Sequence, residues 1–260
     1  MTCRIEVLFV PAEFREFTSR ERPEAVCVVF DVLRATSTIA TALAQGAAAV
    51  VPVEEIAEAL DWRRRNPAWL LAGEREGWRI GAALTGGVEF DLGNSPREFT
   101  AEKIAGRTII MTTTNGTRAL RGCRGARAVF ACCFLNLAAT ARAVLPLKPQ
   151  HLLLVCAGTG EGSAFEDVLA AGAFCGAFSG LHGEVDETDS AIMARELYLA
   201  SQNNLEQAAS RSQNGRLLLR IPELREDVAF CLQRDTLETV ATLGADGAVR
   251  KCGDGAPVGA

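Results

Sequence analysis

A carboxylate and an arginine lie three positions apart where an apolar segment gives way to hydroxyl residues. Asp31 follows the run Val28–Phe30, and Arg34 precedes Thr36 and Ser37. A carboxylate here can bind a metal ion, an arginine can hold two phosphate oxygens, and a helix start offers backbone N–H groups to anions. A helix cap with a surface ion pair would explain Thr36 or Ser37. It does not explain an aspartate that ends an apolar strand, so the segment indicates a phosphate site.

A second polar turn follows the apolar run Ile109–Met111. Gly116 permits close approach of another group to the backbone, and Arg118 adds a positive charge. A plain strand-to-helix turn uses one or two polar residues, so this longer run favours a cradle for a phosphate or acid group. The neutral candidates for binding that anion are Thr113, Thr114, Thr117 and Asn115, the last also a candidate catalytic residue.

Two further loops add one candidate metal ligand and several candidate anion ligands. Glu74 and Arg75 follow an apolar run and are interpreted as a metal ligand and an anion clamp, or as a pair that bind each other. Asn94 and Ser95 precede Pro96. Ser95 is either an ordinary helix cap or a substrate ligand.

A glycine-rich turn and two adjacent carboxylates follow the apolar run that ends at Cys156. The turn GTGEG (158–162) has neither the dinucleotide nor the Walker spacing, so it supports nucleotide binding only weakly. Glu166 and Asp167 stand at the start of an apolar helix. They either complement the helix dipole or supply a ligand to a hard cation.

The spacing of nucleophiles argues against several known phosphatase mechanisms. No cysteine has an arginine six positions later, no Asp-x-Asp occurs, and neither His151 nor His182 adjoins Arg-His-Gly. The nine cysteines are scattered through apolar segments, and the vicinal Cys132 and Cys133 are interpreted as packing residues. An oxygen-ligand metal site remains, which suits Mg²⁺ rather than zinc or copper.

A sheet with strands alternating with helices is needed to bring these segments together. Short apolar runs alternate with helical patterns, which predicts a layered α/β/α fold with a largely parallel or mixed sheet. Predicted strands are Ile5–Val10, Val26–Val32, Val50–Val53, Trp69–Ala72, Thr108–Thr112, Ala128–Cys132 and His151–Cys156. Predicted helices span 36–45, 55–65, 116–121, 137–145 and 164–180. The polar segments follow strands and are expected to converge at the strands' carboxyl ends.

The C-terminal part no longer shows alternating strands and helices. Two polar-faced helical stretches, 188–202 and 204–219, are followed by a predicted strand, Asp227–Gln233. We therefore expect one domain over residues 1–260, in which 184–260 form a helical cap plus a late strand.

Bulk composition limits the class of partner. The net charge is −5 with no basic tail, which argues against nucleic acid. No apolar run reaches the roughly 18 residues of a membrane span, and the N-terminus lacks a signal-peptide pattern. A cytoplasmic protein that binds a small phosphorylated acid is expected, with a homodimer as one candidate for its oligomeric state.

Taken together and in order, the polar segments resemble the 2-phosphosulfolactate phosphatase family. The segments are DVLRATST (31–38), GER (73–75), GNSP (93–96), TTNGT with Arg118 (113–118), CAGT (156–159) and EDVLAAG (166–172). The resemblance implies an α/β fold, Mg²⁺ dependence and hydrolysis of 2-phosphosulfolactate to sulfolactate and phosphate, a step toward coenzyme M. Departures are Ser37 in place of threonine, Thr188-Asp189 in place of Asn-Asp, and no proline near Val240.

The working hypothesis is that Asp31 holds Mg²⁺, with Glu74, Glu166 or Asp167 as further ligands, while Arg34 and the two polar turns stabilise the phosphoryl group. The substrate's carboxylate and sulfonate would be bound by Arg75 and Arg118.

Three alternatives stay open. Asp31 could attack phosphorus directly and form an aspartyl-phosphate. The substrate could be another phosphorylated hydroxy acid. The cradle could also belong to a non-catalytic anion-binding protein.

Overall fold

The computed structural model describes residues 2–17 and 24–253. The strands are β1 (Cys3–Leu8), β2 (Val26–Phe30), β3 (Ala49–Val53), β4 (Leu70–Arg75), β5 (Trp78–Arg79), β6 (Thr108–Thr112), β7 (Ala128–Cys132), β8 (His151–Cys156), β9 (Val185–Glu187), β10 (Ala241–Leu243) and β11 (Val249–Lys251). The helices are α1 (Pro11–Phe17), α2 (Ala35–Ala44), α3 (Ile56–Arg65), α4 (Ala82–Thr85), α5 (Ala101–Ile104), α6 (Gly116–Gly122), α7 (Leu137–Val144), α8 (Phe165–His182), α9 (Asp189–Ser201), α10 (Leu205–Ala209), α11 (Gln213–Arg220) and α12 (Arg225–Cys231). In this part of the chain no helix is both long and apolar enough to cross a bilayer.

These strands form one mixed, mostly parallel sheet, which confirms the predicted fold class. Its order is β5-β4-β6-β3-β11-β10-β7-β2-β8-β1-β9. Two parallel groups, β4-β6-β3 and β7-β2-β8-β1-β9, are joined by the antiparallel hairpin β10-β11. The pairs β3/β11, β11/β10 and β10/β7 are all antiparallel. In a flat sheet the strands of one group would therefore run opposite to those of the other.

Sheet twist lets loops from the two groups meet despite those directions. Strands β2 and β6 are five places apart in the strand order. A twist of roughly 20–25° per strand rotates the direction of β6 by roughly 100–125° relative to that of β2. The two strands are therefore far from strictly antiparallel. The loops that follow β2 and β6 therefore reach one region.

Helix α2 lies between the two groups and fixes the loop that precedes it. One buried cluster contains Val29 of β2, Ile39 of α2 and Met111 of β6. The five residues of β2 are all buried, as expected for a strand covered on both faces. Because α2 is buried over nearly its whole length, the Asp31–Arg34 loop at its start has a fixed position.

The cysteines are free and, apart from Cys252, buried. Burial raises the pKa of Cys133 to about 11 and that of Cys132 well above its usual value. Both thiols therefore stay protonated near neutral pH, as expected of packing residues rather than nucleophiles.

The prediction of a strand at Asp227–Gln233 is wrong, because this segment lies in α12. Asp227, Val228 and Cys231 are buried while Ala229 is exposed, which is the one-sided spacing of a helix. A short apolar run cannot by itself distinguish a strand from a buried helix.

The late strands are instead β10 and β11, joined by a turn at Asp246-Gly247, a common hairpin dipeptide. The predicted helix 204–219 is divided into α10 and α11, whereas α9 matches the prediction for 188–202. Residues 254–260 of the predicted C-terminal part lie outside the described residues.

Candidate active site

A cavity of about 650 Å³ opens where loops of the sheet meet the C-terminal helices. Its size is that of a small-molecule site. The sheet side contributes residues from the loops after β2, β4, β6 and β8, and the helical side contributes most of α11. Sequence-predicted residues that line it are Asp31, Arg34, Glu74, Asn94, Thr114 and Asn115.

Asp31 is held at the start of α2 and faces the turn before α6. Its Oδ1 accepts a 2.9 Å hydrogen bond from the backbone N–H of Ala35, one of the N–H groups that a helix start leaves free. A Cβ atom built on Gly116 would lie 2.4 Å from Asp31 Oδ2. The two polar segments identified from sequence are therefore in contact, and only glycine fits between them.

The Gly116–Asp31 contact gives a testable prediction. In Gly116→Ala the new methyl group would overlap Asp31 Oδ2 and also lie 2.6 Å from the Cβ atom of Ala35. We expect the free energy of unfolding to fall by about 1–3 kcal/mol. We also expect kcat to fall by about 100-fold, because Asp31 is displaced.

Thermal unfolding and initial-rate kinetics check this prediction, with Gly176→Ala on α8 as the matched control. A Cβ atom at Gly176 meets nothing within 4 Å, so this variant should keep full activity. Full activity in Gly116→Ala would contradict the contact.

Buried carboxylates around the cavity repel one another. Burial raises the pKa of Asp31 to about 7, with the negative charges of Glu74 and Glu166 adding to the shift. Burial also raises the pKa of Glu166 and, together with the charges of Glu166 and Asp31, raises that of Asp167 well above its usual range. An accumulation of buried negative charge of this kind is typical of functional sites and of cation sites.

Two of these carboxylates are occupied by hydrogen bonds within the protein. Asp167 accepts the N–H groups of Val32 at 2.8 Å and Gly158 at 3.2 Å, which ties the loops after β2 and β8 together. Glu74 accepts the N–H groups of Thr114 and Gly77, both at 2.9 Å, and so ties its own loop to the turn before α6. Asp167 and Glu74 therefore hold the loops in place.

The remaining oxygens fit Mg²⁺ better than a metal held by protein ligands alone. Across residues 2–17 and 24–253 no group of three or more Asp, Glu, His or Cys side chains is arranged to hold a metal ion. Mg²⁺ usually takes one or two carboxylates and completes its shell with water and substrate phosphate oxygens. Glu166 Oε2 and Asn94 Oδ1 are buried without a hydrogen-bond partner, which is costly unless water or a cation satisfies them. Asp31 and Glu166 thus each keep an oxygen that no group of the described residues bonds, although Glu166 does not itself line the cavity.

Comparison with known protein families identifies the family of this chain. The family model described as 2-phosphosulpholactate phosphatase matches residues 13–246, most of the chain. The chain belongs to this family. The family predicted from the ordered polar segments is therefore confirmed, and with it the class of phosphoric monoester hydrolase.

Two relatives that align with this chain over nearly their whole length share one name. A protein of Caldanaerobacter subterraneus subsp. tengcongensis is 38% identical over 245 residues, which cover 93% of this chain and 96% of the relative. One of Symbiobacterium thermophilum is 39% identical over 226 residues, covering 86% and 93%. Each is named "Probable 2-phosphosulfolactate phosphatase".

Several hydroxyl groups predicted to bind substrate instead hold the turns of this phosphatase family member. Thr36 Oγ1 donates to the carbonyl oxygen of Asp31 at 2.9 Å, and Ser37 Oγ donates to that of Val32 at 2.8 Å. In the second turn, Thr117 Oγ1 donates to the carbonyl oxygen of Thr113 at 3.2 Å, and Thr113 Oγ1 accepts the N–H of Thr117 at 3.3 Å. None of these four hydroxyl residues lines the cavity.

Neither arginine predicted to bind the substrate's acid groups lines the cavity. Arg75 donates to the carbonyl oxygen of Glu74 at 2.7 Å and to Thr112 Oγ1 at 3.0 Å. Because β4 extends to Arg75, adjacent side chains alternate in direction, and only Glu74 points to the site. Arg118 forms an exposed ion pair with Glu55 at 2.9 Å. The structure therefore places Arg75 and Arg118 outside the lining of this cavity.

Arg34 does line the cavity, and Asp227, which the sequence analysis missed, holds it there. The two side chains form a buried ion pair at 2.7 Å and are only 2% and 0% exposed. Arg34 also donates to the carbonyl oxygen of Gly77 at 2.8 Å. Ser95 Oγ, predicted to be a cap or a substrate ligand, donates to Asp227 Oδ1 at 2.7 Å. No local pattern indicates this network, because its members are far apart in sequence.

Helix α11 is the other part of the site that the sequence analysis missed. Asn214 donates to Glu166 Oε1 at 2.7 Å and to Thr159 Oγ1 at 2.8 Å, so it joins the helix to the sheet side. Gln213, Asn214, Arg216 and Arg220 all line the cavity. The amphipathic pattern of this stretch predicted a helix. It did not indicate that the polar face of that helix would line the cavity.

Proposed function

We propose that the protein hydrolyses 2-phosphosulfolactate to sulfolactate and inorganic phosphate, and that it requires Mg²⁺. The observation that carries the proposal is that Asp31, in contact with the turn at Gly116, lines one cavity together with Arg34 and Asn115. Family membership supports the choice of substrate. In organisms that make coenzyme M, the reaction would supply sulfolactate to that pathway.

The protein's own groups would bind and orient the phosphoryl group. Arg34 is fixed by Asp227 and Gly77 and presents a guanidinium to the cavity. The side-chain oxygen of Asn115 accepts the N–H of Gly160 at 3.2 Å, which leaves its amide nitrogen as a donor. Preorganised donors of this kind stabilise charge that develops on phosphoryl oxygens.

Asp31 and Glu166 would hold the metal ion, and Asn94, whose Oδ1 has no hydrogen-bond partner among the described residues, lines the same cavity as Asp31. When bound, Mg²⁺ supplies positive charge to phosphoryl oxygens and increases the acidity of an attacking water. Water attacks phosphorus, the bond from phosphorus to the C2 oxygen breaks, and a proton ends on that oxygen to give the hydroxyl group of sulfolactate. Attack by Asp31 itself would instead leave a phosphorylated enzyme, which rapid-quench trapping detects.

The function is tested by phosphate release from a panel of monoesters, with Mg²⁺ or with EDTA. The panel contains 2-phosphosulfolactate, 2-phospholactate and 3-phosphoglycerate. We expect the highest kcat/KM for 2-phosphosulfolactate and loss of turnover in EDTA. Faster hydrolysis of another phosphorylated hydroxy acid would replace the substrate. Release from none of them would favour an anion-binding protein.

The raised pKa of Asp31 predicts how stability depends on pH in the metal-free protein. The ordinary pKa of an aspartate is 3.8, whereas that of Asp31 in the folded chain is about 7. Between these two pH values the folded protein therefore binds more protons than the unfolded chain. The free energy of unfolding therefore falls as pH rises through this window, on the order of a few kcal/mol.

Calorimetric scans at about pH 5 and about pH 8 check this pH dependence, where the metal-free protein should melt lower at the higher pH. Mg²⁺ should restore the melting temperature at the higher pH, and Asp31→Asn should reduce both effects. An equal response to Mg²⁺ in Asp31→Asn would contradict the assignment of Asp31 as a ligand.

A further inference from the structure

We infer that Arg216 and Arg220 of α11 bind the carboxylate and sulfonate groups of the substrate and so determine its specificity. This inference rests on the proposed function and replaces Arg75 and Arg118 in that role. Arg216 and Arg220 are four residues apart on one helix, so they lie on the same side of it, and both line the cavity.

The charges of Arg216 and Arg220 are uncompensated, unlike those of the other arginines around the site. Arg34 is paired with Asp227, and Arg118 with Glu55. Among the residues that the structure describes, neither Arg216 nor Arg220 forms an ion pair with a carboxylate. Arg216 donates to the carbonyl oxygen of Arg211, which is a neutral acceptor. Two cationic groups thus face the cavity with charge available for an anionic ligand.

The sheet side and the helical side of the cavity differ in charge, although Arg34 and the exposed Glu76 also line it. The sheet side carries the carboxylate of Asp31, which suits a cation and, through it, a phosphoryl group. The helical side carries Arg216 and Arg220 beside the apolar Leu217. A substrate with a phosphate at one end and two acid groups at the other therefore fits in one orientation, with its acid groups toward α11.

The position of α11 relative to the phosphoryl site is fixed. Ser212 caps the helix by accepting the N–H of Gly215 at 2.9 Å, and Asn214 bonds to Glu166 and Thr159. A Cβ atom on Gly215 would lie 2.0 Å from the carbonyl oxygen of Ala209, so α11 also packs closely against the end of α10. Arginines carried on a fixed helix can select substrates by the distance between the phosphate and the acid groups.

Charge-neutral variants test the inference through selectivity between substrates. Arg216→Gln and Arg220→Gln should each raise KM for 2-phosphosulfolactate about 10-fold, and the double variant by more than either. The loss should be much smaller for isopropyl phosphate, which carries neither acid group. The matched control is Arg225→Gln, which removes an exposed arginine that does not line the cavity. Equal losses on both substrates, no loss, or the same loss in the control would overturn the inference.

Binding of the product separates this inference from the proposed function. Titration calorimetry with sulfolactate needs no turnover, and it should show binding to the wild type that weakens about 10-fold in each arginine variant. If sulfolactate binds in this way but no phosphate is released, the proposed hydrolysis fails and the binding role of the arginines stands. If phosphate is released but the variants bind sulfolactate as the wild type does, the arginine inference fails alone.

Discussion

Replacing Asp31 with asparagine is expected to lower kcat for phosphate release by about 1,000-fold or more. The side-chain oxygen of asparagine can still accept the N–H of Ala35, so the start of α2 keeps its cap. What is lost is the negative charge that faces Gly116 and the cavity. Because that charge is buried and its pKa is raised, the variant should be at least as stable as the wild type near neutral pH.

Initial rates at saturating Mg²⁺, together with melting curves, measure the effect of Asp31→Asn. The matched control is Asp186→Asn, which removes an exposed carboxylate that pairs with Arg4 on the far strands of the sheet. Turnover within a few-fold of wild type would remove Asp31 from the mechanism. A large loss of melting temperature would instead show that the carboxylate serves the fold.

The second large effect is expected at the buried pair of Asp227 and Arg34. Asp227→Ala leaves the Arg34 guanidinium buried without its partner and deprives Ser95 of its acceptor. Breaking a buried ion pair from one side costs about 3–5 kcal/mol, so we expect a loss of stability in that range and near-complete loss of activity. Asp186→Ala, which breaks the exposed pair with Arg4, should cost less than about 1 kcal/mol.

A double variant separates the structural role of this pair from the role of Arg34 at the site. Arg34→Met with Asp227→Leu removes both charges, and apolar replacement of a buried pair is often neutral for stability. We expect the double variant to recover most of the stability lost in Asp227→Ala and to recover no activity, because the cavity lacks its fixed guanidinium. Chemical denaturation and initial rates provide the two measurements. Recovery of turnover in the double variant would contradict the role of Arg34.

Much of the sheet could be predicted from sequence because its strands are unbroken apolar runs. The bounds of β6, β7 and β8 are those predicted, and polar residues or glycine follow within one to four positions of each strand's end. The order of polar segments after strands also located Asp31, Arg34 and the turn before α6. A buried parallel strand requires this kind of pattern, so it is visible locally.

Three features could not be predicted, for three physical reasons. The run around Val228 is short and apolar, and such a run fits a buried helix as well as a strand. The side on which Arg75 lies depends on where β4 ends, and the predicted strand stopped three residues before it. The partner of Arg34 is 193 residues away, and no local spacing reports a contact of that range.

The arginines chosen from the sequence and the arginines that line the cavity belong to different parts of the chain. Arg75 and Arg118 stand next to the polar turns in sequence, whereas Arg216 and Arg220 approach the cavity from α11. The link between α11 and the sheet runs through Asn214 and Glu166, 48 residues apart. Proximity in sequence therefore identified the loops of the site but not the helix that covers them.

The most direct test of the account is a crystal structure of the protein grown with Mg²⁺, sulfolactate and phosphate. We expect phosphate in the cavity beside Asp31 and Arg34, Mg²⁺ on the oxygens of Asp31 and Glu166, and the acid groups of sulfolactate toward Arg216 and Arg220. Phosphate and metal bound elsewhere, with the cavity beside Asp31 holding only water, would contradict it.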